Sequence, residues 1–339
     1  MSNTIFGIDL GTNNIKIFNQ SDKKILNEKN VIAIINKNQL FAYGDAAYEM
    51  HEKAPGNILV TFPVHFGVIA DYKNMQILLI EFLKKASKTK LKNAEFIIAV
   101  PTDITEVEKK AFHDIVKSCG IKCKDVLIAE KPVADAIGIG LDIKSATGTL
   151  VVDMGADTTE ISVLSLGGIV LSQLIHLGGN KLDESVISYI KKTHGIDIGK
   201  KTACALKETI GSAIKLDEPE TMVAYGRDIV TGLPIEITID SDLVYEAIKE
   251  NLNSIVNNIK IILERTPPEL SADIINHGVY LTGGGSLIKN IDVLLEQELK
   301  IKVNTCETPS ESVVKGLMQM ATDSKYRPLA YTMKVKIYN

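Results

Sequence analysis

Two aspartates carry the first chemical signal in this sequence. Asp9 closes the apolar run Ile5-Phe6-Gly7-Ile8 and is followed by Leu10 and then Gly11, Thr12, Asn13 and Asn14. Asp153 closes Leu150-Val151-Val152 and is followed by Met154 and then Gly155, Ala156, Asp157 and Thr158. A turn of glycine and small polar residues can aim successive N–H groups at one point, making an anion nest without a cationic side chain. A carboxylate at the end of the preceding strand suits Mg²⁺, which keeps much of its own water and binds carboxylates through it. Asp-x-Gly is also ordinary hairpin punctuation, and one copy alone would mean little. Two copies in register, 144 residues apart and so about one domain length, predict two facing turns that clamp the phosphates of one nucleotide.

A third segment supports a nucleotide. Gly278-Val279-Tyr280-Leu281-Thr282 reads as a buried strand running into Gly283, Gly284, Gly285 and Ser286 and then a helix. Three glycines let the backbone approach a bulky ligand, and a helix N-terminus favours a phosphate or ribose edge. The chain has neither the Gly-Lys-Ser/Thr of a P-loop nor the spaced glycines of a dinucleotide turn, so the site is of another type.

The elements that must position these residues are legible in outline. Each aspartate turn reads as strand, tight turn, strand. Thr105 and Glu108 form a capping box at the head of a helix that Gly120 can end. Asp183 is expected to open a helix closed at Gly195. Asp242 is expected to start a long amphipathic helix carrying Leu243, Ala247, Leu252, Ile255, Val256 and Ile259, stopped by Pro267-Pro268.

Composition narrows the function classes. A length of 339 residues suggests two domains or a subdivided α/β unit. With 45% apolar and 24% charged residues the mix is that of a globular protein, and a net charge of −4 argues against a nucleic-acid partner. No apolar run is long enough to span a bilayer and the start has no signal-peptide pattern, so a cytoplasmic protein is expected. Four cysteines, Cys119, Cys123, Cys204 and Cys306, suggest no disulfide framework, and the Cys119/Cys123 pair lacks the second half of a metal site. Of 38 basic residues only three are arginine, a bias that fits an AT-rich genome.

Asp9-Leu10-Gly11-Thr12, Asp153-Met154-Gly155 and Thr282-Gly283-Gly284-Gly285, in that order and spacing, resemble the phosphate-1, phosphate-2 and adenosine motifs of the superfamily of actins, heat-shock chaperones and sugar kinases. Gly67-Val68-Ile69-Ala70-Asp71, Val100-Pro101, Ile104 to Lys109, Gly178 to Glu184, Lys207 to Ala213 and Val313 to Gly316 resemble one branch, the MreB family of bacterial actins. The resemblance runs from Gly7 to about Thr322. It implies an α/β fold of duplicated actin-like (RNase H-like) domains with a nucleotide cleft between them. Residues 1–143 plus 319–339 would form domain I, with an outer subdomain at about 32–65. Residues 144–318 would form domain II, with an outer subdomain at about 181–249. It implies ATP or ADP held by Gly11, Thr12, Asn13, Asn14, Gly155, Ala156, Asp157, Thr158, Cys204, Lys207, Gly283, Gly284, Gly285 and Ser286. Mg²⁺ would be held through water by Asp9 and Asp153.

The departures are chemical. Family proteins carry Glu-Pro ahead of the helix leading to the second turn, and that glutamate orients and helps deprotonate the attacking water. Counting back from Gly138 and Gly140, Lys131 stands there, in Ala129-Glu130-Lys131-Pro132. An ammonium cannot accept a proton, and loss of a positioned base typically costs ~10²–10⁴-fold, so slow hydrolysis is expected. Two carboxylates could substitute: Glu130 by swinging inward, or Asp157. Thr158 matches the family threonine that helps hold the water. Asp157 also brings negative charge towards the γ-phosphate position. Cys204 stands where the family has a glutamate contacting the nucleoside, with the paired Lys207 retained, so adenine preference rests on family alone.

Lys84 to Lys92 is a lysine-rich stretch at a position where family members carry hydrophobic residues that dip into the membrane. Here Lys88, Lys90, Leu91 and Lys92 are the membrane-loop candidates, set against a plain solvated loop. The resemblance implies self-association into filaments of paired antiparallel protofilaments, with paralogues as further partners and peripheral attachment at the inner face of the membrane left open. The expected function is an ATP-binding cytoskeletal subunit that sets cell shape or supports motility and hydrolyses ATP weakly. The alternatives are a nucleotide-binding pseudoenzyme partnering an active paralogue and a small-molecule kinase, for which no acceptor-activating carboxylate is evident. A chaperone would need a substrate domain after the nucleotide-binding module.

Overall fold

The computed structural model describes residues 4–37, 39–87 and 92–333. The chain divides into two compact units, one of 1–146, 164–170 and 310–339, the other of 147–163 and 171–309.

In the first unit, β1 (Ile5–Leu10) and β2 (Asn14–Asn19) are buried along almost their whole length because helices cover both faces of their sheet. With β3 (Lys24–Lys29) they form an antiparallel ribbon. Next come β4 (Ile32–Ile35), β5 (Gln39–Tyr43), α1 (Asp45–Met50), β6 (Ile58–Thr61), β7 (Val64–His65) and β8 (Val68–Ile69). Strands β5-β4-β6 make a small sheet of their own. α2 (Tyr72–Ala86), β9 (Lys92–Val100), α3 (Glu106–Ser118), β10 (Lys122–Glu130) and α4 (Lys131–Gly138) complete the first pass, and the main sheet runs β10-β9-β1-β2-β3. Phe6 and Ile8 on one pleat pack with Phe96, Met75, Leu78, Phe82 and Phe112 in one apolar cluster. Gly7, on the opposite pleat, meets the helix Ser312–Thr322, where an added Cβ would lie 2.8 Å from Leu317 Cβ. The same helix crosses α4 so closely that side chains at Gly138 or Gly316 would overlap the other helix's main chain.

In the second unit, β11 (Thr149–Met154), β12 (Thr159–Ser165) and β13 (Gly168–Ile175) are followed by α5 (Gly179–His194), β14 (Ile196–Asp197), α6 (Lys200–Ile210), β15 (Thr221–Asp228) and β16 (Pro234–Asp240). α7 (Ser241–Arg265), α8 (Pro268–His277), β17 (Val279–Thr282), α9 (Ile291–Leu299) and β18 (Val303–Asn304) follow. The main sheet is β13-β12-β11-β17-β18, and β14-β15-β16 form a second, smaller sheet. α7 buries Val244, Ile248, Leu252, Ile255, Val256, Ile259 and Ile262 in the same apolar cluster that holds the sheet residues Leu150, Val152 and Leu281.

Local chemistry sets the ends of these helices. The Thr105/Glu108 capping box is formed in both directions, with Gly120 at positive φ just past the helix. α5 closes at Gly195 in the left-handed region. Its start differs from expectation. The helix begins at Gly179, and Asp183 lies one turn inside it, buried, because the first N–H groups are satisfied by carbonyls of the Gly155 turn rather than by a carboxylate cap. α7 likewise opens two residues early: Asp240 caps it by accepting from the Leu243 N–H at 2.8 Å, leaving Asp242 in the first turn. The triple glycine enters a short 3₁₀ turn over 284–287, and α9 starts only at Ile291.

Candidate functional site

The first turn follows directly from β1. Asp9 and Thr12 are buried, and Asp9 Oδ2 lies 3.5 Å from the equally buried Lys16 Nζ on β2. A Cβ at Gly11 would stand 2.7 Å from the Asn14 carbonyl oxygen, so the turn closes this tightly only with glycine there. Neighbours hold the rest. Asn14 Nδ2 donates to Asn27 Oδ1 at 2.8 Å, Lys29 Nζ reaches Asn14 Oδ1 at 3.5 Å, and Asn30 bonds two of the turn's carbonyls.

The second turn is built alike. Gly155 N–H donates to the Thr158 carbonyl at 2.8 Å, and a Cβ at Gly155 would meet that oxygen at 2.9 Å. Asp153 and Thr158 are buried beside it. The N-terminus of α5 lies against its outer side, with the N–H groups of Gly179 and Asn180 donating to the Gly155 and Ala156 carbonyls at 3.0 and 2.7 Å. Gly178 is required by the same closeness, since a Cβ there would stand 2.6 Å from Ala156 O. Asn180 Nδ2 donates to Asp157 Oδ1 at 2.7 Å, which ties that carboxylate to α5.

Two further predicted groups converge on this second turn within the same unit. Gly283, at φ +78°, touches Asp153 and Met154, and a side chain there would overlap both. Gly285 packs on Met154, and the Ser286 hydroxyl donates to the Gly283 carbonyl at 2.7 Å, so it closes its own turn. Gly284 has open space around its Cα, so only its two neighbours are compelled by packing. Lys207 Nζ, on α6, pairs with Asp183 at 2.7 Å and donates to the Gly179 carbonyl at 2.9 Å. Burial pushes the Asp183 carboxyl up, and the Lys207 charge opposes that shift. Cys204, one turn before Glu208, places Sγ 3.3 Å from Glu208 Oε1; burial, reinforced by the Asp183 charge, pushes its thiol up to about 12.

The position expected to activate water lies in the first unit. Lys131 is the first residue of α4, half-buried, and Asp135, four residues on and on the same helix face, is wholly buried. Glu130 ends β10 and is already engaged. Lys109 Nζ pairs with its carboxylate at 3.1 Å and the Tyr331 hydroxyl donates to the same oxygen. Of the membrane-loop candidates, Lys88, Lys90 and Leu91 lie outside the described residues and Lys92 opens β9. No described helix is long and apolar enough to cross a membrane.

The profile of the MreB/Mbl protein family matches residues 3–327. The chain belongs to the MreB/Mbl family. The cell shape-determining protein Mbl of Bacillus cereus is 42% identical over 312 residues, covering 91% of this chain and 93% of its own. The cell shape-determining protein MreB of Escherichia coli is 37% identical over 316 residues, covering 91% and 90%. Among solved structures, MreB5 of Spiroplasma citri bound to ADP superposes with a TM-score of 0.91 at 34% identity, covering 97% of this chain and 98% of that one, and the same protein has been solved with AMPPNP. A MamK double helical filament subunit shares the fold, with a TM-score of 0.80 at 21% identity. The α/β actin-like architecture expected from the three motifs is therefore the fold this family has.

Sequence reasoning missed Asn30, Gly178, Asn180 and Asp183 as parts of the two turns. Gly178-Gly179 was visible as a glycine pair, but the carbonyls it approaches are more than twenty residues away. Asn30 lies beyond β3 and gives no local signal.

Proposed function

We propose that this MreB/Mbl chain is a nucleotide-dependent cytoskeletal filament subunit with weak ATPase activity. The observation that carries the reading is the pair of turns at Gly11 and Gly155. Each needs its glycine for closure, each follows a buried aspartate, and each has main-chain carbonyls bonded from outside. Such turns serve the phosphates of ATP or ADP. The oxygen donors Asp9 and Asp153 fit Mg²⁺ held through water, and a bound Mg²⁺ would supply charge neutralisation to the phosphates. Lys16, 3.5 Å from Asp9, balances that buried carboxylate.

Chemistry at Lys131 sets the expected rate. An ammonium donates to phosphate oxygens but cannot take a proton from water. Glu130 is held by Lys109 and Tyr331, and Asp157 by Asn180, so neither replacement carboxylate is at liberty to act as the base. ATP binding, ordered water at Thr158 and slow cleavage follow. Filaments of such a subunit persist until nucleotide is lost or a partner intervenes. Paired antiparallel protofilaments, association with paralogues and peripheral membrane contact through Lys88 to Lys92 extend this reading from the family. The relatives' names supply the cellular role, determination of cell shape.

Sedimentation paired with phosphate release, with and without Mg-ATP, tests the proposal. Wild type is expected to pellet with ATP while releasing phosphate slowly. A second reading, a pseudoenzyme partner of an active paralogue, is favoured by Lys131 and predicts nucleotide binding without pelleting of the chain alone.

A further inference from the structure

The two turns are held from outside by different means. In the second, main-chain N–H groups of α5 bond the Gly155 and Ala156 carbonyls at 3.0 and 2.7 Å. In the first, no helix start among the described residues takes that part. Asn30, completely buried between β3 and β4, donates Nδ2 to the Gly11 carbonyl at 2.8 Å, and its main-chain N–H donates to the Asn13 carbonyl at 2.8 Å. Gly11 corresponds to Gly155 in the 144-residue repeat, so one side-chain amide occupies the role that a helix N-terminus has in the other copy.

We propose that Asn30 is the positioning residue of the first phosphate turn. In a trans peptide the N–H points opposite to the C=O of the same plane. Bonding the Gly11 and Asn13 carbonyls to Asn30 therefore turns the Thr12 and Asn14 N–H groups to the side away from Asn30. In the second turn the bonds from α5 orient the Ala156 and Asp157 N–H groups away from α5 in the same way. Anion recognition by a nest depends on such orientation, since a peptide flip replaces a donor with an acceptor facing the phosphate. The amide is kept for position rather than stability. Asn30 Oδ1 is buried and accepts no hydrogen bond among the described residues, an arrangement that costs stability.

This inference rests on the nucleotide reading above, and calorimetric titration with Mg-ADP separates the two. Asn30→Ala removes one hydrogen bond and one unpaired acceptor together. Its unfolding midpoint without nucleotide is expected within about 2 °C of wild type, while ADP affinity falls about 10-fold. Asn30→Ser, which keeps a hydroxyl donor on a shorter arm, is expected between the two. Asn19→Ala in the same unit is the control: Asn19 Nδ2 donates to the Ala86 carbonyl at 2.9 Å, so the midpoint falls while affinity stays. If wild type binds ADP and both Asn30 variants bind as tightly, the assignment of Asn30 is overturned and the nucleotide reading stands. A wild type that fails to bind Mg-ADP overturns both.

Discussion

The phenol of Tyr331 donates to the carboxylate of Glu130, while its main chain pairs with Ile128 in both directions at 2.8 and 2.9 Å. A segment near the C-terminus thus straps the edge strand β10 just before Lys131, and Lys109 adds a cation to the same carboxylate at 3.1 Å. Burial, and then the bond to Glu130, push the Tyr331 hydroxyl up to about 12. Because the folded state holds this proton more tightly than the unfolded chain, the associated stability is intact below about pH 10 and is lost as pH rises from there towards 12. Tyr331→Phe is expected to cost about 1 kcal/mol near neutral pH and to flatten the alkaline limb of a stability-versus-pH curve. Denaturant melts of the two proteins between pH 8 and 12 measure this, and parallel curves would show that the phenol has no such role.

The Asp183–Lys207 pair joins α5 to α6 beneath the second turn. Both side chains are nearly buried, and Lys207 also bonds the Gly179 carbonyl. Removing one partner of such a pair typically costs about 3–5 kcal/mol, because the other charge stays buried. Lys207→Met is expected to show a loss of that order, with Asp183→Asn/Lys207→Met recovering much of it. A chemical denaturation cycle over the four proteins checks the coupling; additive losses would mean that the two residues act independently.

Cys204 offers a test of its electrostatic surroundings. With its thiol up at about 12, little thiolate forms at pH 8, and the greater nucleophilicity of a more basic thiolate offsets only part of that. Alkylation of Cys204 by iodoacetamide is expected to run about 50-fold slower than that of free cysteine. Peptide mapping against time gives the rate. Labelling as fast as free cysteine would show that the thiol is neither buried nor facing the Asp183 charge.

Hairpin β15–β16 carries an apolar surface that nothing within its unit covers. Val230 is 88% exposed, Tyr225 67% and Leu233 65%. Scattered exposed apolar residues are normal, but with Val223, Ile229 and Ile235 also exposed there are six on one hairpin, which suits a protein contact. If filament formation uses this hairpin, Val230→Asp/Leu233→Asp lowers the pelleted fraction in Mg-ATP while leaving the unfolding midpoint within about 1–2 °C, as expected for surface changes. Unchanged pelleting would place the filament contacts elsewhere.

Much of this architecture is legible in local signals along the chain. The Thr105/Glu108 box, Gly195 at the end of α5 and the twin aspartate turns each depend on residues within a few positions of one another. Asp183 shows where that logic stops. An acid at the head of an amphipathic stretch reads as a cap, yet the cap donors are used by Gly155 and Ala156, and Asp183 turns inward to Lys207. Asn30, Asn180 and Tyr331 act on partners 17 to more than 200 residues away, so their roles exist only once the sheets are assembled. Glu130 looks available in the sequence because a sequence shows its neighbours along the chain and not Lys109 and Tyr331 across the sheet.

Lys131→Glu is the sharpest test of the catalytic argument. The substitution supplies a carboxylate at the start of α4, where the helix dipole favours negative charge. It also sets that carboxylate one turn from Asp135, which is buried on the same face, and like charges at that spacing repel. Restoration of a base is expected to raise phosphate release by up to ~10²-fold, short of the full range for general-base catalysis because Asp135 disfavours the new charge. Lys131→Glu/Asp135→Ala removes that repulsion and is expected to be faster than Lys131→Glu alone. Single-turnover phosphate release with saturating Mg-ATP ranks wild type, the single variant and the double variant. Brisk release by wild type would mean that Glu130 or Asp157 escapes its present partners and serves as the base. Equal, slow release by all three would mean that position 131 does not control water activation in this chain.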